Sequence, residues 1–147
     1  WSELDDEEKR RQARKMEIYS AMLELVDRNV GRLLDFLAEV DELDNTLIIV
    51  MSDNGAEGNR RRNMGGDGWV ERTFDDSYAA MGHQGSYVYT GPGWAQASSA
   101  PFMLYKAHTA EGGIRAPLII SGPSVDHSGS VTQALTTVRA IMPTILE

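Results

Sequence analysis

Residues 47–51 of TLIIVMSDNGAEG run apolar without a break, and an acid, an amide and a glycine follow almost at once. A run this short, rich in β-branched residues and apolar on both faces, predicts a strand over 46–51 lying centrally in a parallel sheet. It is far shorter than the ~20 residues a membrane span needs. Upstream, Tyr19, Leu23, Val26, Val30, Leu33, Leu34 and Leu37 recur in three- and four-residue steps. That spacing lines one face of a helix and predicts one over about 5–40. The charged lead-in at 3–14 reads as solvated first turns of this helix, and DELDN as the turn that ends it. A long helix feeding such a strand points to an α/β architecture.

Beyond Ser52 the periodicity stops. Arg60-Arg61-Arg62, the GGDG at 65–68 and the GPG at 91–93 mark an irregular region over about 52–105. Stretches this long without regular structure are usually functional or disordered. Trp69, Phe74, Tyr78, Tyr87, Tyr89 and Trp94 argue for packed loops, since an aromatic buried in a loop system contributes far more than one on a linker. APLIISGP predicts a second strand over about 116–121, VTQALTTV a third strand or a helix entry, and IMPTILE the start of a helix over about 139–147. With 147 residues and 41% hydrophobic content, the chain suits a single domain.

Charge excludes several partners. Fourteen basic against 22 acidic side chains leave a net charge of −8, which argues against nucleic acid and against anionic membranes. Any anion chemistry then needs a locally focused site. No cysteine is present, so disulfides, thiolate metal sites and cysteine nucleophiles are absent from these residues. Their absence fits either redox compartment, and localisation stays open between cytoplasm and periplasm for a soluble bacterial protein. The charged start at Trp1 and the helical-looking stop at Glu147 read as cut ends, the expectation being a segment of something larger.

Two places carry candidate chemistry. Asp53 and Asn54 lie just past the predicted strand, where ligands gather in open sheets, and offer the hard oxygens that calcium or magnesium accepts. The same tripeptide Asp-Asn-Gly is also ordinary turn chemistry. Lys106, in an apolar and aromatic setting, is a candidate cation for an anionic group, or a lysine whose stem packs on Tyr105 while its ammonium reaches water. His83 and His108 are candidate acid–base groups. His127 and the arginine run read as surface, and Glu111 with Arg115 as a brace for the Gly112-Gly113 turn.

Five stretches, in order, resemble the sulfatase family, in particular bacterial arylsulfatases: ARKMEIYSAMLELVDRNVGRLLDFL, TLIIVMSDNGAEG, GSYVYTGPGWAQASSAPFMLYK, AEGGIRAPLIISGP and IMPTILE. GPGWAQA leading to LYK and then EGGIR is the most specific of these. The resemblance implies an alkaline-phosphatase-like three-layer α/β sandwich, of which this chain is a partial segment. It also implies a sulfuric ester hydrolase that binds one calcium ion, with magnesium a poorer match. By position, Asp53 and Asn54 match two calcium ligands and Lys106 the lysine that contacts the sulfate group.

The family's nucleophile is a hydrated formylglycine made from cysteine or serine in a C/S-x-P/A-x-R motif. Neither form of that motif occurs here, so the expectation is a later segment of the catalytic domain, inactive alone. Two smaller departures are Ala140, where aspartate is usual, and His108, where an aromatic is expected. The alternatives are a non-catalytic binding or assembly module on the same scaffold, self-associating through exposed surfaces, and a phosphate-ester hydrolase of the same superfamily.

Overall fold

Asp5 starts the long helix α1, Asp6–Glu39: its carboxylate accepts the Glu8 amide at 2.8 Å, and Asp6, Glu7 and Glu8 set negative charge against the positive end of the helix. The helix stops in a Schellman arrangement with an aspartate in the glycine position. Asp41 is left-handed at φ 60°, its amide donates to the Ala38 carbonyl at 3.2 Å, and the Glu42 amide to the Leu37 carbonyl at 2.9 Å. The computed structural model describes residues 1–59, 68–126 and 129–146. The arginine run at 60–62, most of GGDG and His127 therefore lie outside the described residues.

The packing of α1 departs in part from the sequence expectation. Its first turn, 5–8, is exposed as expected, but farther along the lead-in Arg11, Gln12 and Arg14 are half-buried, and Lys15 just beyond is the buried residue of the helix. The irregular loops opposite present backbone carbonyls that need donors, and cationic side chains supply them. The Arg11 guanidinium donates to the Asp76 carbonyl and that of Arg14 to the Met81 carbonyl. The Trp94 indole returns a bond to the Gln12 carbonyl at 2.9 Å, and the Lys15 ammonium lies 4.5 Å from the centre of the Tyr89 ring. The apolar stripe farther along is open instead, with Leu23, Val26 and Leu33 each more than half exposed.

Strand β1, Ile48–Met51, pairs with β2, Leu118–Ser121, and the pairing is antiparallel. This corrects the expected parallel sheet. An apolar run encodes burial of a strand and carries no information on the direction of its neighbour. Among the described residues the sheet has these two strands only, so the three-layer sandwich is not visible and the unit is a small mixed α/β one. The register Met51 to Leu118 has a consequence for the site: it sets the exit of β1 beside the entry of β2.

The region 52–105 is less irregular than expected. It contains α2, Trp69–Thr73, and α3, Pro92–Ser99. The GPG that marks the irregular region in the sequence is the start of α3, with Pro92 supplying a preset φ where no amide donor is needed. Trp69 meets Phe74 edge-on at 5.3 Å, and Phe74 meets Tyr87 at 5.6 Å, so these aromatics do hold the loops together. Val70, Met81 and Ala95 form the small buried apolar core.

Next come α4, Glu111–Ile114, and, after β2, a stretch in which VTQALTTV forms no third strand and only its last residue enters a 3-10 turn, Val138–Ala140, that leads into the final helix. Val131 and Leu135 there are almost fully exposed, so nothing rewards a regular pairing. Helix α5, Ile141–Leu146, follows. No helix among the described residues is long and apolar enough to cross a membrane.

Candidate functional site

The exit of β1 is held by main-chain bonds to the entry of β2. The Ser52 amide donates to the Pro117 carbonyl at 3.3 Å, and the Gly55 amide to the Gly113 carbonyl at 3.1 Å. The Ser52 hydroxyl closes the turn on the Asn54 carbonyl at 2.9 Å. Approach is so close that a Cβ on Gly55 would stand 1.9 Å from the Gly112 carbonyl oxygen. Gly112 in turn has no room for one beside the Leu104 carbonyl, at 2.0 Å, nor Gly113 beside that of His108, at 2.1 Å. Three glycines thus let three chain segments lie backbone against backbone.

Asp53 is exposed and Asn54 half-buried in this turn. Among the described residues, no hydrogen bond engages the Asp53 carboxylate or the Asn54 carboxamide. Asn54 lines a groove of about 740 Å³ together with Tyr19, Glu57, Ser99, Phe102 and Arg115.

Lys106 sits on the third segment. Its amide donates to the Ala56 carbonyl at 3.0 Å, and its carbonyl accepts the Asn59 side-chain amide at 3.4 Å. Its neighbours Leu104 and Ala107 are left-handed, at φ 64° and 74°. Such angles cost a non-glycine residue about 1 kcal/mol or more, so something must hold them. Gln96 of α3 does so for Leu104: its carboxamide oxygen accepts the Leu104 amide at 2.8 Å, and its nitrogen donates to the Phe102 carbonyl at 2.9 Å.

The ammonium of Lys106 is paired with Glu57 at 3.2 Å. Partial burial pushes the Glu57 carboxyl up, but the Asn59 amide and the Lys106 charge together outweigh it, and the group sits below its ordinary value. Neither reading of Lys106 from sequence named this carboxylate partner.

The histidines separate. His108 is exposed, with its ring edge-on to Tyr105 at 5.1 Å, and lies two residues from Lys106. His83 belongs to a turn of its own, its amide on the Ala80 carbonyl and its carbonyl accepting the Ser86 hydroxyl. A Cβ on the adjoining Gly82 would stand 3.3 Å from the Ile18 side chain of α1. Glu111 and Arg115 do brace the glycine turn: they pair at 3.5 Å, and the Arg115 guanidinium stacks 4.3 Å from the Phe102 ring centre.

The structure therefore brings the Asp53–Asn54 turn and the Lys106 loop together, keeps His108 beside the latter, and leaves His83 in a separate turn. Sequence reasoning missed Glu57 and Gln96. Glu57 stands in the quoted AEG, two residues past the glycine turn, but far from Lys106 along the chain, so nothing in the sequence pairs the two. Gln96 stands in GPGWAQA, and no local pattern marks which backbone a carboxamide will clamp.

The sequence matches the Sulfatase family model over residues 2–147, and the chain belongs to the sulfatase family. It is 45% identical over 149 residues to an uncharacterized sulfatase of Schizosaccharomyces pombe, a match that covers all of this chain and 27% of that protein. It is 33% identical over 148 residues to the arylsulfatase of Klebsiella aerogenes, covering all of this chain and 32% of that enzyme. An N-acetylglucosamine-6-O-sulfatase of Bacteroides thetaiotaomicron is 41% identical over 59 residues, 40% of this chain and 10% of the relative. The chain thus spans about a quarter to a third of the two sulfatases that match it end to end.

Proposed function

We propose that the chain is a segment of an arylsulfatase-like sulfuric ester hydrolase with an alkaline-phosphatase-like sandwich. In this reading Asp53 and Asn54 supply oxygen ligands to one calcium ion, and Lys106 contacts the sulfate group of a bound ester. The observation that supports it is the backbone clamp: Gly55 on Gly113 and Lys106 on Ala56 join the acid–amide turn to the loop that carries Lys106, in a chain matched throughout to sulfatases.

The donor chemistry suits calcium. Both side-chain oxygens are hard donors without a hydrogen-bond partner among the described residues. Their number does not make a shell, since calcium takes six to eight oxygens and no group of three or more His, Cys, Asp or Glu able to hold a metal occurs among the described residues. The remaining ligands would come from elsewhere in the parent enzyme. When bound, the ion would neutralise charge on the sulfate oxygens. Lys106 would add a fixed positive charge where the ester oxygen departs, and His108 stands close enough in sequence to act near it. The formylglycine nucleophile has no precursor motif among these residues, so the chain alone would not turn over a sulfate ester.

The test is a titration of the purified chain. Calcium should perturb the Asp53 and Asn54 resonances weakly, sulfate should perturb those of Lys106, and 4-nitrophenyl sulfate should remain intact. Calcium and sulfate responses confined to other residues would overturn the assignment. Turnover abolished by Lys106→Ala would overturn the inactivity of the isolated chain.

A second reading, a non-catalytic assembly module on the sulfatase scaffold, is favoured by one observation. Leu23, Val26 and Leu33 of α1, together with Ile119 of β2, are exposed large apolar side chains that another copy of the chain would cover.

A further inference from the structure

Glu57 is tied down at both ends. Its Oε1 accepts the Asn59 amide at 2.8 Å, and its carbonyl accepts the Thr90 hydroxyl at 2.9 Å. Oε2 is left to face the Lys106 ammonium at 3.2 Å. The backbone of Lys106 is bonded to Ala56 on one side of Glu57 and to Asn59 on the other. The ion pair therefore spans two segments already joined, and forming it orders only two side chains. Each keeps about a third of its exposure, 32% for Lys106 and 35% for Glu57, so an anion from solvent can reach the ammonium.

We propose that Glu57 is a positioning residue acting through Lys106: its carboxylate fixes the ammonium and serves as the resident counter-ion that an incoming sulfate group must displace. This rests on the reading of Lys106 as the sulfate contact. The exchange trades one ion pair for another, and no covalent bond changes. Because Glu57 is anchored by Asn59 and Thr90, it stays close after displacement and repels the bound anion. The site is then pre-oriented yet holds free sulfate, the reaction's product, weakly. A residue that merely stiffened the loop would act in the opposite sense, since its loss would weaken sulfate binding.

The experiment uses the purified chain as wild type, Glu57→Gln, Glu57→Asp and Lys106→Ala. The Lys106 side-chain nitrogen resonance is followed while sodium sulfate is added at constant ionic strength. Glu57→Gln is expected to retain the backbone fingerprint, to move the Lys106 side-chain signal to that of a freely rotating lysine, and to tighten sulfate at Lys106 roughly 3- to 10-fold. Glu57→Asp should fall between, and it carries the test if the glutamine variant does not fold. An unchanged Lys106 signal in Glu57→Gln overturns the positioning role. Sulfate binding at Lys106 that is equal or weaker in the glutamine variant overturns the counter-ion role. If Glu57→Gln moves the Lys106 signal but sulfate reaches Lys106 in neither protein, the positioning role stands and the sulfate reading of Lys106 is the part that fails.

Discussion

The Gly55 amide and the Gly113 carbonyl, 3.1 Å apart, join the turn after β1 to the turn before β2 at a point with no space for a side chain. Gly112→Ala would push a methyl into the Leu104 carbonyl, at 2.0 Å, and backbone cannot step aside as a flexible side chain can. The expected cost is about 2–4 kcal/mol, at the upper end for overpacking. Urea unfolding would measure it, and a variant within about 0.5 kcal/mol of wild type would show that the three segments are not clamped as described.

Gln96 joins α3 to the Lys106 loop through both atoms of its carboxamide. Gln96→Leu fills the same volume but leaves the Leu104 amide and the Phe102 carbonyl without their partner, a loss of about 1–3 kcal/mol. Gln96→Glu keeps the acceptor for Leu104 but sets a carboxylate oxygen against the Phe102 carbonyl, so it too costs stability while still holding the Leu104 amide. Hydrogen exchange at the Leu104 amide should quicken in the leucine variant and change little in the glutamate one. Equal exchange in all three proteins would remove Gln96 from this role.

These bonds also mark what could be read from sequence. The stripe from Tyr19 to Leu37 specifies a helix because its spacing is a local property, and α1 spans Asp6–Glu39. Asp53 and Asn54 were legible as a turn for the same reason. The direction of β2 was not, because it depends on where the chain returns. Nor was the burial of Lys15, which depends on Tyr89, far away in sequence. Lys106 could be singled out by its apolar setting, but its partner could not. The ion pair exists because glycine-sized gaps let distant backbones touch, and those gaps appear in the sequence only as ordinary glycines.

Acid should remove the contribution of the Glu57–Lys106 pair. Burial raises the Glu57 carboxyl, and the Asn59 and Lys106 interactions more than reverse this, leaving it below 4.5 in the folded chain. A lowered folded-state value means stability that is present above the unfolded value and lost as pH falls through the folded one. Both side chains are about one-third exposed, so screening keeps the contribution under about 1 kcal/mol. Unfolding of wild type and Glu57→Gln between about pH 3 and 7 should show a gap that closes toward the acid end. A gap that widens in acid would contradict the pairing.

The open face of α1 leads to the last expectation. Leu23, Val26 and Leu33 follow one another at helical steps and are 51%, 59% and 57% exposed. A contiguous apolar stripe on a free surface favours association. Light scattering on the purified chain should give a mass that rises with concentration. Val26→Lys combined with Leu33→Lys places two like charges on the stripe and should return the mass to that of a monomer. Surface substitutions of this kind should change stability by no more than about 0.5 kcal/mol, so the change in mass would not come from unfolding. A wild-type chain that stays monomeric to roughly 100 μM, the range where even weak interfaces assemble, would remove the assembly reading and leave the sulfatase-segment reading standing.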